Sequence, residues 1–345
     1  MNNQIEFDIF IIKTLPDEYF NRCKDSLIET SGGMIANDQI TMIREKSSRE
    51  RTLNAILKQR ENSKDLFIVA DDIIFLSGWY ESLIKNYTEG NIIGFSMIDA
   101  QSGLLQDFGY DFVSIDGELS YRGLYKHKEL KELYLSEFRE CNAVTGCAMF
   151  IKNIVLNDVI QFPLEGVNRW GELLFSYLAS NYGHDTIVLN AHLRHFAIST
   201  KQNKDVKKSS MSWLVERKLW KNVVKEYLLH VKPKITIQTK VSKKIISLIG
   251  EANQCLIYGA GTVADIILSS INKFENIDLC SGLPEEVGLQ LNGLIIKNIK
   301  EIKASSYEII IISAIGYEEK IISRYFKNRK NIFTLINENN FIQIS

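Results

Sequence analysis

Two adjacent acids, Asp71 and Asp72, interrupt an apolar run in LFIVADDIIF. Neighbouring carboxylates repel, and burying them unpaired is costly. A divalent cation relieves both problems, and Mg²⁺ typically takes one or two carboxylates together with substrate phosphates and water. The plain alternative is a solvated pair that opens a loop. Glu172 stands at the start of WGELLFSYLASN, where an acid suits the positive end of a helix or could act as a base. His192, Arg194 and His195 follow in HLRH. Towards the end of the chain, CLIYGAGTVADIIL carries Gly259 and Gly261 in a GxGxxA spacing. That spacing suits a turn that lets a phosphate approach a helix N-terminus.

These groups need elements to position them. Residues 7–12, 40–43, 66–75, 91–95, 143–151 and 186–190 are rich in β-branched and aromatic residues and read as strands. Residues 17–29, 49–59 and 170–181 read as helices, and Gly183 is a natural stop for the last of them. Residues 103–125 read as loops or a hairpin. Residues 211–230 read as a helix with an apolar stripe of Trp213, Leu214, Trp220, Val223, Val224 and Leu228. From Cys255 a second pattern begins: strand, glycine turn, helix, then an apolar strand at 308–315 and a helix after it. Strands alternating with helices predict an α/β protein with a largely parallel sheet, whose ligands bind at the carboxyl ends of strands. Asp71 and Asp72 fall at such an end.

The 345 residues suggest more than one domain, and 45% apolar with 24% charged residues is ordinary for a soluble globular protein. The net charge of −1 hides an asymmetry: residues 201–250 hold 13 Lys+Arg against 3 Asp+Glu, or +10, which leaves −11 for the rest. Five cysteines without a CxxC pair argue against a disulfide framework or a zinc knuckle and fit a reducing cytosol. No stretch approaches the ~20 apolar residues of a membrane span, and the N-terminus lacks a secretion signal. A cytoplasmic location is expected, with the basic belt leaving open peripheral contact at the inner face of a membrane.

Residues 51–84 place Asn54 on a helix, then an apolar strand, then Asp71 and Asp72, then Gly78 and Trp79. TGCAMFIKN, WGELLFSYLASNYG, TIVLN and HLRH follow in that order. The pattern resembles the GT-A glycosyltransferases, especially family 2. The resemblance implies a GT-A (nucleotide-diphospho-sugar transferase) domain over 1–200, a basic helical connector over 201–250 and a small Rossmann-like α/β domain over 251–345. It further implies a cytoplasmic, inverting transferase that uses a nucleotide-sugar donor with Mn²⁺ or Mg²⁺. The acceptor would be a hydroxyl of a polysaccharide, lipid-linked or protein glycan. Asp72 would ligate the metal, joined by one histidine, with His195 preferred to His192. Asp71 would meet the donor ribose or support the metal shell. Asn54 and Arg194 would lie on the donor side, and Glu172 would be the base. The chain departs from the pattern at Ala70, where a further acid is usual, and at Gly171, where Glu172 usually has an acidic neighbour.

Gly259 and Gly261 resemble the turn of small Rossmann-like domains found beside sugar-modifying enzymes. Dinucleotide binding would want an acid at the end of the following strand, and Asp278 is not clearly there, so NAD(P) is not expected. A module for packing or oligomerisation is the plainer reading. Competing classes are a dinucleotide-binding oxidoreductase or sensor, a DNA-modifying glycosyltransferase, and a non-catalytic scaffold. For the belt, including Lys201, Lys204, Lys207, Lys208, Arg217, Lys218, Lys221 and Lys225, a solvated helix is favoured. An anionic membrane surface ranks above nucleic acid as an alternative.

Overall fold

The computed structural model describes residues 5–45, 49–115, 118–123, 136–162, 170–196, 220, 222–225, 228, 231, 235–237, 240–269, 271, 275–284, 286–314, 318–337 and 340–343. The chain forms two compact units. One comprises Met1–Asp111, Gly123–Ser209 and Lys225–Tyr227; the other comprises Phe112–Arg122, Ser210–Val224 and Leu228–Ser345. Residues 112–122 therefore belong with the C-terminal part, which no local pattern in the sequence indicates.

The first unit opens with β1 (Phe7–Lys13), α1 (Asp17–Thr30), β2 (Ile40–Arg44), α2 (Arg49–Gln59), β3 (Asp65–Ala70) and β4 (Ile73–Ile74). It continues with α3 (Trp79–Lys85), β5 (Ile92–Asp99) and β6 (Leu105–Asp107). The chain then passes through β7 (Tyr110–Ile115) and β8 (Glu118–Gly123). Next come β9 (Phe138–Glu140), β10 (Ala148–Ile151), α4 (Asn153–Asp158), α5 (Gly171–Asn181) and β11 (Thr186–His195). The main sheet runs β2-β1-β3-β10-β5-β11-β4, with β6 on β5 and β9 on β11. β1 is parallel to β2 and β3, and β5 to β11, while β10 is antiparallel to both its neighbours. The sheet is thus mixed rather than largely parallel.

β3 is central and covered on both faces, which is why Leu66–Val69 is one unbroken apolar run instead of an alternating one. The expected strand 66–75 breaks at the acids into β3 and β4, because the two carboxylates interrupt the ladder. Trp79, the first residue of α3, packs against this part of the sheet. Its indole stacks on Phe67 of β3 and donates from Nε1 to Thr30 Oγ1 at 2.9 Å, so the start of α3 is fixed to the core and to α1. α5 ends in a Schellman arrangement: Gly183, at φ +83°, donates to Ser180 O and His184 N donates to Ala179 O.

In the second unit are β12 (Ile235–Ile237), α6 (Lys240–Glu251), β13 (Cys255–Tyr258), α7 (Thr262–Ser269), β14 (Ile277–Ser281), β15 (Gln290–Leu291) and β16 (Leu294–Asn298). β17 (Ile309–Ile312), α8 (Glu318–Tyr325), β18 (Ile332–Asn337) and β19 (Asn340–Gln343) complete it. Its sheet runs β15-β16-β14-β13-β17-β18-β19; the five strands from β16 to β18 are parallel and the edges are antiparallel. A small sheet, β12-β7-β8, lies where loops or a hairpin were expected.

Most of the basic belt, with Trp213 and every named cation except Lys225, lies outside the described residues. Trp220 is buried, with its Nε1 donating to Leu119 O at 3.0 Å and its ring edge-on to Tyr121. Among the described residues, no helix is long and apolar enough to cross a membrane.

Candidate active site

The carboxyl end of β3 delivers two buried acids with different partners. Asp71 is 1% exposed, and its Oδ2 accepts from Thr14 N at 2.8 Å and Leu15 N at 2.7 Å, while Oδ1 accepts from Thr14 Oγ1 at 2.8 Å. It ties down the loop after β1. Both its oxygens are engaged there, so this acid supports the β1 loop beside the site.

Asp72 is 2% exposed, and its Oδ2 lies 3.3 Å from His195 Nε2 at the end of β11. The main chain reinforces the meeting, because Phe196 N donates to Asp72 O. His195 Nδ1 donates to Gln106 Oε1 at 2.9 Å, and Cys147 Sγ lies 3.7 Å from Nε2. An amide oxygen can only accept, so Gln106 fixes the proton on Nδ1 and turns Nε2 toward Asp72. Burial works against an imidazolium, but the Cys147 sulfur and the Asp72 carboxylate outweigh it and push His195 up to about 11. The site favours positive charge, which is what a divalent cation also brings.

A carboxylate and an oriented imidazole converging on one point fit two positions of an Mn²⁺ or Mg²⁺ shell, the remainder falling to diphosphate oxygens and water. Among the described residues, no group of three His, Cys, Asp or Glu side chains is arranged to hold a metal. His192 is elsewhere: its Nδ1 lies 2.7 Å from Ser96 Oγ on β5, and burial holds it below its ordinary value. Arg194 is exposed, and strand alternation turns it away from the face that presents its neighbour His195.

Glu172 sits in the first turn of α5. Its Oε1 accepts from Arg49 Nε at 3.2 Å, and Arg49 Nη2 also donates to Gly146 O at 2.8 Å. Burial alone would lower the Arg49 guanidinium, but Glu172, Cys147 and Glu45 more than restore its charge. Gly146 is glycine for a steric reason: a Cβ there would stand 2.1 Å from Glu172 Oε1. Asn54 is drawn to a different task. Its Nδ2 donates to Phe162 O at 3.1 Å and its Oδ1 accepts from Phe162 N at 2.8 Å, so both ends of the amide clamp the segment after α4.

Arg49, Gln106 and Cys147 were not singled out from sequence. A Gln in a short edge strand and an Arg opening a helix carry no local signal. Cys147 lies within the TGCAMFIKN motif, and only β3–β10 pairing brings it beside the acids, where Ala70 N donates to Cys147 O at 2.8 Å.

In the second unit the GAGTVA turn follows β13. Gly259 adopts φ +98°, and a Cβ on it would come within 3.0 Å of Ser313 Oγ. A Cβ on Gly261 would meet nothing within 4 Å, so that residue borders open space. Asp278 is at the start of β14, not its carboxyl end, and it accepts from Lys297 Nζ and Tyr307 OH. The carboxyl end of β14 instead carries Ser281.

Residues 251–330 match the family described as C2185-like, N-terminal. Among curated proteins none matches the chain. Among solved structures, the chain is similar over 56% of its length to the crystal structure of GalNAc-T7 with UDP, GalNAc and Mn²⁺, at 10% identity and a TM-score of 0.37. It is similar over 64% to S. aureus TarS, at 12% identity and a TM-score of 0.37. Over 54% it is similar to A197 from STIV, at 13% identity and a TM-score of 0.33. The similar part spans 44% of the GalNAc-T7 chain, 40% of the TarS chain and 83% of the A197 chain. Likenesses this distant leave the function to be argued from the site itself.

Proposed function

We propose that the chain is a metal-dependent, inverting glycosyltransferase that moves a sugar from a nucleotide-sugar donor to an acceptor hydroxyl. The observation that carries this reading is the meeting of Asp72 and His195 at the carboxyl edge of the main sheet, at 3.3 Å. A strand edge is where α/β sheets take ligands. A bound Mn²⁺ or Mg²⁺ would neutralise the charge that builds on the leaving diphosphate. Asp72 and His195 would hold that cation, and Asp71 keeps the β1 loop in place beside it. Glu172 would take the proton of the acceptor hydroxyl on Oε2, the oxygen that has no partner among the described residues. Asn54 and Arg194 are left out of the donor set, because the first is committed to Phe162 and the second faces away. The acceptor is a hydroxyl of a glycan, on a polysaccharide, lipid or protein. A thermal-shift screen of UDP- and GDP-sugars with and without Mn²⁺ tests the reading. Stabilisation that needs both nucleotide and metal, and that disappears in Asp72→Ala, is the expected result; nucleotide binding unaffected by that change would sink the metal assignment.

A further inference from the structure

We infer that Arg49 is a positioning residue for Glu172, which it holds so that one carboxylate oxygen, Oε2, is presented for proton transfer. This rests on the reading of Glu172 as the base. The geometry is a clamp with three members. Arg49 Nε donates to Glu172 Oε1 at 3.2 Å, and Nη2 of the same guanidinium donates to Gly146 O at 2.8 Å. The planar guanidinium fixes the two directions relative to one another, which a lysine ammonium cannot do. The third member is the bare Cα of Gly146, since a Cβ there would lie 2.1 Å from Oε1 and 2.4 Å from Cδ of Glu172. The carboxylate is thus held from one side by a cation and bounded on another by backbone.

Burial is consistent with precision. The Arg49 and Glu172 side chains are 23% and 13% exposed, so the pair is shielded from most of the solvent that would loosen an exposed ion pair. The two residues are far apart in sequence and come from the N-terminal turns of α2 and α5. With Oε1 taken by Arg49, a proton from an acceptor would arrive at Oε2, and rotation of the carboxylate out of that aim would cost the Arg49 bond.

The test is nucleotide release from UDP-glucose, UDP-galactose, UDP-N-acetylglucosamine and GDP-mannose with Mn²⁺ and water as acceptor, because water too must lose a proton to the base. UDP and GDP affinity is measured by calorimetry. Arg49→Ala is expected to lower kcat by about 30-fold or more, with KM and nucleotide Kd within about 2-fold, in line with the size of a general-base contribution. Arg49→Lys recovers only part, and guanidinium ion added to Arg49→Ala recovers some of the rate. Gly146→Ala, which leaves Arg49 in place, is expected to show the same loss in kcat. A kcat within 3-fold of wild type in folded Arg49→Ala, or a fall in nucleotide affinity that matches the fall in rate, overturns the positioning role. Glu172→Gln separates the two layers. If it abolishes turnover while Arg49→Ala does not, only the positioning role fails. Unchanged turnover in Glu172→Gln, or no metal-dependent turnover of any donor by the wild-type protein, overturns the base reading and the positioning role together.

Discussion

β3 and β13 have much in common. Each is a central strand, β3 between parallel β1 and antiparallel β10 and β13 between two parallel strands; each contributes four consecutive buried apolar residues, and each runs out at its carboxyl end into a loop. Their ends differ in what neighbouring strands deliver. At β3, β11 brings His195, β6 brings Gln106, and the turn before β10 brings Cys147, so Asp72 meets a group that can share a charge. At β13, β14 ends in Ser281 and the residue after β17 is Ser313, whose hydroxyl caps the carbonyls of Tyr258 and Gly259. A strand edge gains the means for charge chemistry from the residues its sheet neighbours carry to it. The glycine turn has the shape of a phosphate loop, and the ends of the strands on either side of it present serine hydroxyls.

The sharpest way to break this contrast is Asp72→Ala. It should lower metal-dependent turnover of a nucleotide sugar by about 100-fold or more, since it removes one of the two ligands proposed for the cation, and a chelator should mimic it. Turnover that survives both would remove the distinction between the two edges. Glu172→Gln should cost about 100-fold or more in kcat with nucleotide affinity unchanged; steady-state kinetics beside calorimetry decides it.

Asp71→Ala tests whether the adjacent acids are different in kind. Removing Asp71 leaves the buried Leu15 N without its acceptor and breaks two further bonds from Thr14, which should destabilise the fold by about 2 kcal/mol, read by denaturant unfolding. Asp72→Ala also costs stability, because it leaves the buried His195 without its carboxylate. Turnover is therefore what separates the two: folded Asp71→Ala should keep most of the metal-dependent rate. An equal loss of rate in both variants would mean that the acids do not differ in kind.

Smaller effects come with acidification. Burial keeps His192 below its ordinary value, so the folded chain resists a proton that the unfolded chain accepts. That stability is complete above the unfolded value of about 6.5 and drains as pH falls through the folded value. In the second unit, burial pushes Asp278 upward, but hydrogen bonds from Lys297 and Tyr307 outweigh it and hold the carboxyl low. Its contribution is present above about 3.9 and is lost as pH falls through the lower folded value. Melting curves of His192→Gln and Asp278→Asn should each lose the corresponding step, at mildly acid pH for the first and strongly acid pH for the second. The smallest expected signal is NAD(P) titration, which should leave the melting temperature unchanged; a clear rise would make the glycine turn the second working edge.

Much of the fold was legible in the sequence because it follows from local patterns. The unbroken apolar run of β3, the helical spacing in α2 and the Gly183 stop of α5 each appeared within a few residues of where they were expected. The mixed character of the main sheet was not legible, because β10 inserts antiparallel between β3 and β5 and strand direction leaves no mark in an apolar run. Nor was the transfer of residues 112–122 to the second unit. Asn54 shows the same limit at a single residue: its helix was correctly placed, but the partner of its amide depends on where Phe162 returns.

The sequence by itself determined the residue types that can do chemistry and the strands and helices that carry most of them, since propensity, period and capping act over a few neighbours. Only the tertiary structure decided which of those residues meet. It separated Asp71, spent on the β1 loop, from Asp72, turned to His195, and it joined Arg49 to Glu172. Such choices depend on register and strand order between segments far apart in the chain, where a displacement of one residue turns a side chain to the opposite face.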